Sequence, residues 1–132
     1  MRTLFVQILT VAAVTLVLDL TWLGVVAADL YAKHLGPLMA NPVNAPAAGL
    51  FYLMYVGAVV IHAVRPAQSA RQAAVRGAGL GFVAYATYEL TNWAVIAGWP
   101  AALVPVDIVW GIVLTGTAAV CGFVAGRMAG PR

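Results

Sequence analysis

In GFVAYATYELTNWAVIAGWPAALVPVDIVWG (residues 81–111), two apolar runs meet at AGWP, Ala97–Pro100. Gly and Pro this close together break any regular periodicity and leave room only for a tight turn. The runs on either side are far longer than a strand needs, so they read as two antiparallel helices joined by a very short connection. Both carry a carboxylate, Glu89 before the turn and Asp107 after it. The surrounding YATYELTNW (Tyr85–Trp93) adds a second polar residue, Asn92, and two tyrosines, Tyr85 and Tyr88.

Working outward, the third apolar segment covers about 74–97 and the fourth about 101–125. RPAQSARQ (Arg65–Gln72) separates them from a second segment, about 47–64, and GPLMANPVNAP (Gly36–Pro46) separates that from a first, about 3–27. Each is about long enough to cross a hydrocarbon core of ~30 Å, the second only just. The first is longer than the h-region of a signal peptide, ~7–15 residues. Composition agrees: of 132 residues, 64% are hydrophobic and 8% charged, where a soluble domain carries roughly a quarter charged. Mean hydropathy is +0.96. The expected fold is all-α, a four-helix integral membrane bundle forming a single transmembrane domain over residues 1–132.

Several function classes drop out. A single cysteine, Cys121, supports neither a disulfide nor a dithiol pair nor a four-cysteine zinc site, and reads as a packing residue. His34 and His62 fall on opposite sides of the membrane, which excludes a bis-histidine haem within one chain. No phosphate loop or metal-binding helix motif is present. No metal and no cofactor is expected. The net charge of +3 comes from seven basic residues without a basic stripe, so no nucleic-acid partner is expected. Those basic residues do set an orientation. Arg2 precedes the first segment, Arg65, Arg71 and Arg76 fill the middle loop, and Arg127 and Arg132 follow the fourth. The other side has Lys33, partly offset by Asp29. The positive-inside rule then puts both termini in the cytoplasm.

Three of the four acids, Asp19, Glu89 and Asp107, lie within spans. A mid-bilayer carboxylate is costly and seldom accidental. With the termini inside, all three fall in the outer half of the bilayer, within roughly two helical turns of one level. Four polar helical faces line up, three of them carrying these acids: Thr15, Asp19 and Trp22; Tyr52, Tyr55, Val59 and His62; Gly81, Tyr85, Tyr88, Glu89 and Asn92; Asp107, Trp110, Gly111 and Thr115. Lipid offers these groups no partners, so the four faces are expected to turn toward one another. The candidate site is therefore a polar, aromatic-lined core of Asp19, Trp22, Tyr52, Tyr55, Tyr85, Tyr88, Glu89, Asn92, Asp107 and Trp110.

Bland readings stand beside this one. The acids can form a structural knot that fixes helix register. Tyr52 and Tyr55 can serve only as interhelical hydrogen-bond donors. Trp93 and Trp99 read as interface-belt residues, and Gly77-xxx-Gly81 as a close-packing pattern. LDLTWLG (Leu18–Gly24) echoes VDIVWG (Val106–Gly111), a short hint of an inverted repeat. In each, Asp and Trp three residues apart share a face, so each indole N–H is expected beside the carboxylate of its own helix.

Together LDLTWLG, Tyr31 with LGPLM, AGLFYLMYVGAVV, GAGLGFVAYATYELTNWAVIAGWP and VDIVWGIVLTG resemble the bacterial membrane family known as domain of unknown function 2177. The resemblance covers nearly the whole chain, in order. The family more often carries aspartate where this chain has Glu89. It implies a four-span, multi-pass protein of the bacterial inner membrane without an assigned activity, loosely associated with lipid modification.

Two function classes fit the residues best. In the first, the acidic site binds or transports a small molecule, a lipid group or a proton. In the second it is an enzyme site acting on a lipid-borne substrate by carboxylate acid/base chemistry. A third is an accessory subunit of a larger membrane complex. The partners expected are membrane lipids, with a homodimer or a larger membrane complex.

Overall fold

The structure is a computed structural model that describes residues 1–130. Arg132, counted above among the cytoplasmic basic residues, lies outside the described residues. The described chain is all helical. Helix α1 (Arg2–Thr21) continues into a π-helical turn, Trp22–Val26. A short α2 (Ala28–Leu35) follows, then a single 3₁₀ turn, Gly36–Leu38. Helix α3 (Ala45–Val59) also ends in a π-helical turn, Val60–Val64. Helices α4 (Ala70–Val95) and α5 (Leu103–Met128) form the hairpin around AGWP.

Local chemistry explains the starts and stops. Asn44 Oδ1 accepts from the Ala47 N–H at 3.2 Å and caps α3, with Pro46 in its first turn. Ser69 Oγ accepts from the Gln72 N–H at 3.1 Å and caps α4. Between α4 and α5 the chain reverses through Gly98, whose φ of 79° lies in the left-handed region that favours glycine. The connection, 96–102, is longer than the four-residue turn read from the sequence.

Among the described residues, three helical stretches are long and apolar enough to cross a membrane: Arg2–Val26, Ala45–Val64 and Leu103–Met128. Helix α4 has 26 residues and matches α5 in length, but Arg71, Gln72 and Arg76 make its first two turns polar. Much of the outer surface is greasy: Phe5, Leu20, Leu53, Val75, Val95 and Val109 are all more than half exposed. The interior is mostly Val and Ala with Leu103, Leu114 and Phe123, and it also buries Gln7, Thr15, Asp19, Glu89, Asp107 and Thr115. Glu89 is among the largest side chains that are completely buried. An apolar outside around a partly polar inside is the arrangement of a membrane helical bundle.

The tightest packing joins α4 to α5, with α1 against the other side of α5. A Cβ on Gly77 would come 2.6 Å from the Thr115 carbonyl oxygen and 2.7 Å from Ala119 Cβ. A Cβ on Gly81 would run into the Gly111 carbonyl. The small-xxx-small pattern thus lets two backbones touch. At the end of the bundle that holds the start of α1 and the end of α5, Gly122 lies against Val11 and Val64, and Gly126 against Gln7. That contact brings the starts and ends of the helices, and hence Arg2, Arg65 and Arg127, to one end.

Candidate functional site

At the opposite end, the last turns of α1 and α4 meet the first turns of α3 and α5. Glycines hold α4 and α5 together further along, but here the facing side chains are aromatic and acidic. They line a partly open cavity of about 560 Å³. Asp19, Trp22, Tyr52, Tyr55, Tyr85, Tyr88, Glu89, Asp107 and Trp110 all line it. Nine of the ten residues singled out from the sequence are therefore brought together. Asn92 is not: it is half-buried near the end of α4 and takes no part in the cavity wall.

The hydrogen bonds cross between helices. Asp19 accepts from Trp110 Nε1–H at 3.1 Å through Oδ1, and from the Tyr52 hydroxyl at 3.1 Å through Oδ2. Trp22 Nε1–H donates to the Tyr31 hydroxyl at 3.3 Å, and Tyr31 donates in turn to Asp107 Oδ1. The expectation that each indole serves the carboxylate of its own helix is therefore corrected. The rings of Trp22 and Trp110 stack with centroids 4.3 Å apart and planes 7° off parallel. Stacking draws each indole across the α1–α5 interface, so its N–H reaches the neighbouring element. The two similar Asp-x-x-Trp segments thus form a reciprocal pair, one direct bond and one relayed through Tyr31.

Below this layer the Tyr55 hydroxyl lies 2.6 Å from Thr115 Oγ1. Thr115 donates its own proton to the Gly111 carbonyl at 2.7 Å, so Tyr55 is the donor of that pair. Tyr52 and Tyr55 are thus interhelical donors and also wall residues.

Glu89 has a different environment. Its Oε2 accepts from Trp99 Nε1–H at 2.9 Å. Trp99 also meets Tyr88 edge to face, centroids 5.8 Å apart. Trp99 read as a belt residue in the sequence, and here it is part of the wall. Glu89 is 0% exposed, yet its Oε1 has no hydrogen-bond partner. Its carboxyl lies within hydrogen-bond reach of that of Asp107, a bond that forms only where the two acids share a proton. Among the described residues, no basic side chain is one of the groups that act on Asp19 or Glu89.

Besides Trp99, two residues of the site lie outside the predicted spans. Tyr31 comes from α2, where burial, and then its bond to Asp107, hold the phenol above its ordinary range and keep it a neutral donor. Leu35, one turn later on the same face of α2, also lines the cavity. The exposed side of α2 carries Asp29 and Lys33. The π-helical turn beside Trp22, closed by the Ala27 N–H to the Trp22 carbonyl at 2.7 Å, is of a kind found often at functional sites.

The sequence compares with known proteins in one respect. A family model described as "Predicted membrane protein (DUF2177)" matches residues 4–124, and the chain belongs to that family. No curated protein and no solved structure matches it.

Proposed function

We propose that this member of the DUF2177 family crosses a bacterial inner membrane four times, with α4 as the additional span, and binds a small molecule or lipid group in the cavity between its helices. The proposed topology puts both termini and the 65–69 connection in the cytoplasm, because Arg2, Arg65 and Arg127 gather at one end of the bundle. The cavity then opens in the outer half. A green fluorescent reporter fused after Arg132 should be bright. A dark reporter, with an alkaline phosphatase fusion active in its place, would reverse the orientation.

One observation carries the binding reading: Glu89, a completely buried acid whose Oε1 has no donor among the described residues, lines a cavity large enough for a small molecule. An unpaired buried polar group costs about 1–3 kcal/mol; Gln7 Nε2 and Thr15 Oγ1 are also buried without partners, but of the three residues Glu89 is the one that lines the cavity. The nine wall residues shared with the sequence reading act as the binding surface: Asp19, Glu89 and Asp107 fix polar groups, and the aromatic rings fix shape.

Native mass spectrometry from mild detergent tests this reading. The wild type should retain a bound small molecule or lipid. Ala48→Trp, which fills the cavity from α3, should release it while leaving the protein folded. Equal occupancy in the two would end the claim.

A further inference from the structure

We infer that the cavity takes an organic ammonium ion, an N–H-bearing cation carried on an apolar body. This rests on the reading of the cavity as a binding site and names the ligand's chemistry.

The argument begins with charge. Asp19 and Asp107 are each 5% exposed and Glu89 is 0% exposed. Among the described residues, no Lys, Arg or His lines the cavity. Acids inside a membrane bundle ordinarily pair with a basic group or a backbone partner. Here the donors are neutral: Trp110 and Tyr52 on Asp19, Tyr31 on Asp107, Trp99 on Glu89. The site therefore lacks a positive charge, and among the described residues Glu89 Oε1 has no donor, the carboxyl of Asp107 being able to bond that of Glu89 only by sharing a proton with it. An ammonium N–H supplies both at one point.

Other ligand classes fit less well. Among the described residues, no three His, Cys, Asp or Glu side chains converge closely enough to hold a metal ion. An anion would face carboxylates with no compensating base. A quaternary ammonium has the charge but no N–H for Oε1. The walls favour an organic cation: the Trp22–Trp110 stack and the Tyr88–Trp99 pair offer aromatic faces that attract positive charge. Leu23, Leu35, Phe51 and Met54 supply an apolar lining for the rest of the molecule. An amine of this kind reaches the cavity either as a membrane aminolipid headgroup or as a free amphipathic amine.

Thermal unfolding of the full chain in detergent, with three length-matched probes, tests the inference. Hexylamine, protonated at pH 7, should raise the unfolding midpoint. Hexanol and hexanoate should not. Glu89→Gln should weaken hexylamine binding roughly ten-fold or more, the scale of a lost charge-assisted hydrogen bond. Asp107→Asn should weaken it less, because Tyr31 already occupies one of its oxygens.

If hexanol stabilises as well as hexylamine, and Glu89→Gln abolishes both effects, the cavity binds ligands but the ammonium assignment is wrong. If none of the three probes shifts the midpoint, the binding reading fails with it. A hexylamine shift that survives both substitutions puts the amine elsewhere and overturns the inference. Should either variant fail to fold, the contrast among the three probes on the wild type decides alone. Given the supporting result, nanodiscs separate the two sources. With a headgroup amine, phosphatidylethanolamine discs compete hexylamine away relative to phosphatidylglycerol discs. With a free amine, the hexylamine shift is the same in both.

Discussion

At Gly77 and Gly81 the backbone of α4 lies directly on α5, and nothing larger than a hydrogen fits between them. About two helical turns further on, the same two helices face each other carboxyl to carboxyl, Glu89 beside Asp107, across a cavity. The glycine end is assembled from dispersion contacts between small groups, which need close approach. The aromatic end is assembled from directed hydrogen bonds between large groups, which leave space. The first arrangement holds the bundle together, and the second is free to serve a ligand. Substitutions at the glycine end should therefore act on stability, while those at the cavity end should act on stability only as far as they leave a partner unpaired.

The largest effect is expected at Gly81. Even alanine would push a methyl group into the Gly111 carbonyl, which belongs to rigid helix backbone. Gly81→Ala should cost about 3 kcal/mol, the upper range for overpacking a tight interface, read as an earlier thermal transition in detergent. A neutral Gly81→Ala would mean that α4 and α5 are not in backbone contact.

Trp110→Phe comes next. It preserves an aromatic ring against Trp22 but removes the N–H given to Asp19 Oδ1. A loss of about 1–3 kcal/mol follows from leaving a buried carboxylate oxygen unpaired. If the two indoles served their own helices after all, Trp110→Phe would disturb Asp107 and leave Asp19 intact. A double-mutant cycle with Asp19→Asn distinguishes these cases, since coupling appears only between groups that touch.

Tyr55→Phe should matter less. Thr115 keeps its bond to the Gly111 carbonyl and merely loses a donor. The expected cost is about 1 kcal/mol, that of one neutral hydrogen bond, measured by the same unfolding assay. A much larger loss would make the tyrosine–threonine pair a main support of the bundle.

How far the sequence foretold this contrast depends on the source of each residue. Gly77-xxx-Gly81 and the faces of Asp19, Glu89 and Asp107 were legible because they lie inside long helices, where period 3.6 fixes which side chains share a face. Trp99 and Tyr31 were not, because they come from the α4–α5 connection and from α2, and only tertiary folding places them over the cavity. A signal for α2 did exist. Asp29 in its first turn and Lys33 in its last complement a helix dipole, and Tyr31 and Leu35 are one turn apart. The i, i+3 spacing of Asp and Trp correctly put both on one face. It did not determine which of the facing helices would receive each indole N–H, because that choice was made by the stacking of Trp22 on Trp110. Asn92 shares the helical face of Glu89 but not its cavity, since periodicity gives direction and not depth.

The central claim is that the Glu89 carboxylate is kept for a ligand and not for the fold. Thermal unfolding of Glu89→Gln without ligand tests it most directly. The amide oxygen still accepts from Trp99, and the amide N–H can donate to the Asp107 carboxyl in place of a proton shared between the two acids. The amide also faces Asp107 without a second acid's charge. The account predicts stability within about 0.5 kcal/mol of wild type, or above it, as for a change that removes no satisfied contact. A loss of about 3–5 kcal/mol, the scale of breaking a buried charge pair, would contradict it and make Glu89 a structural charge that holds the helices together.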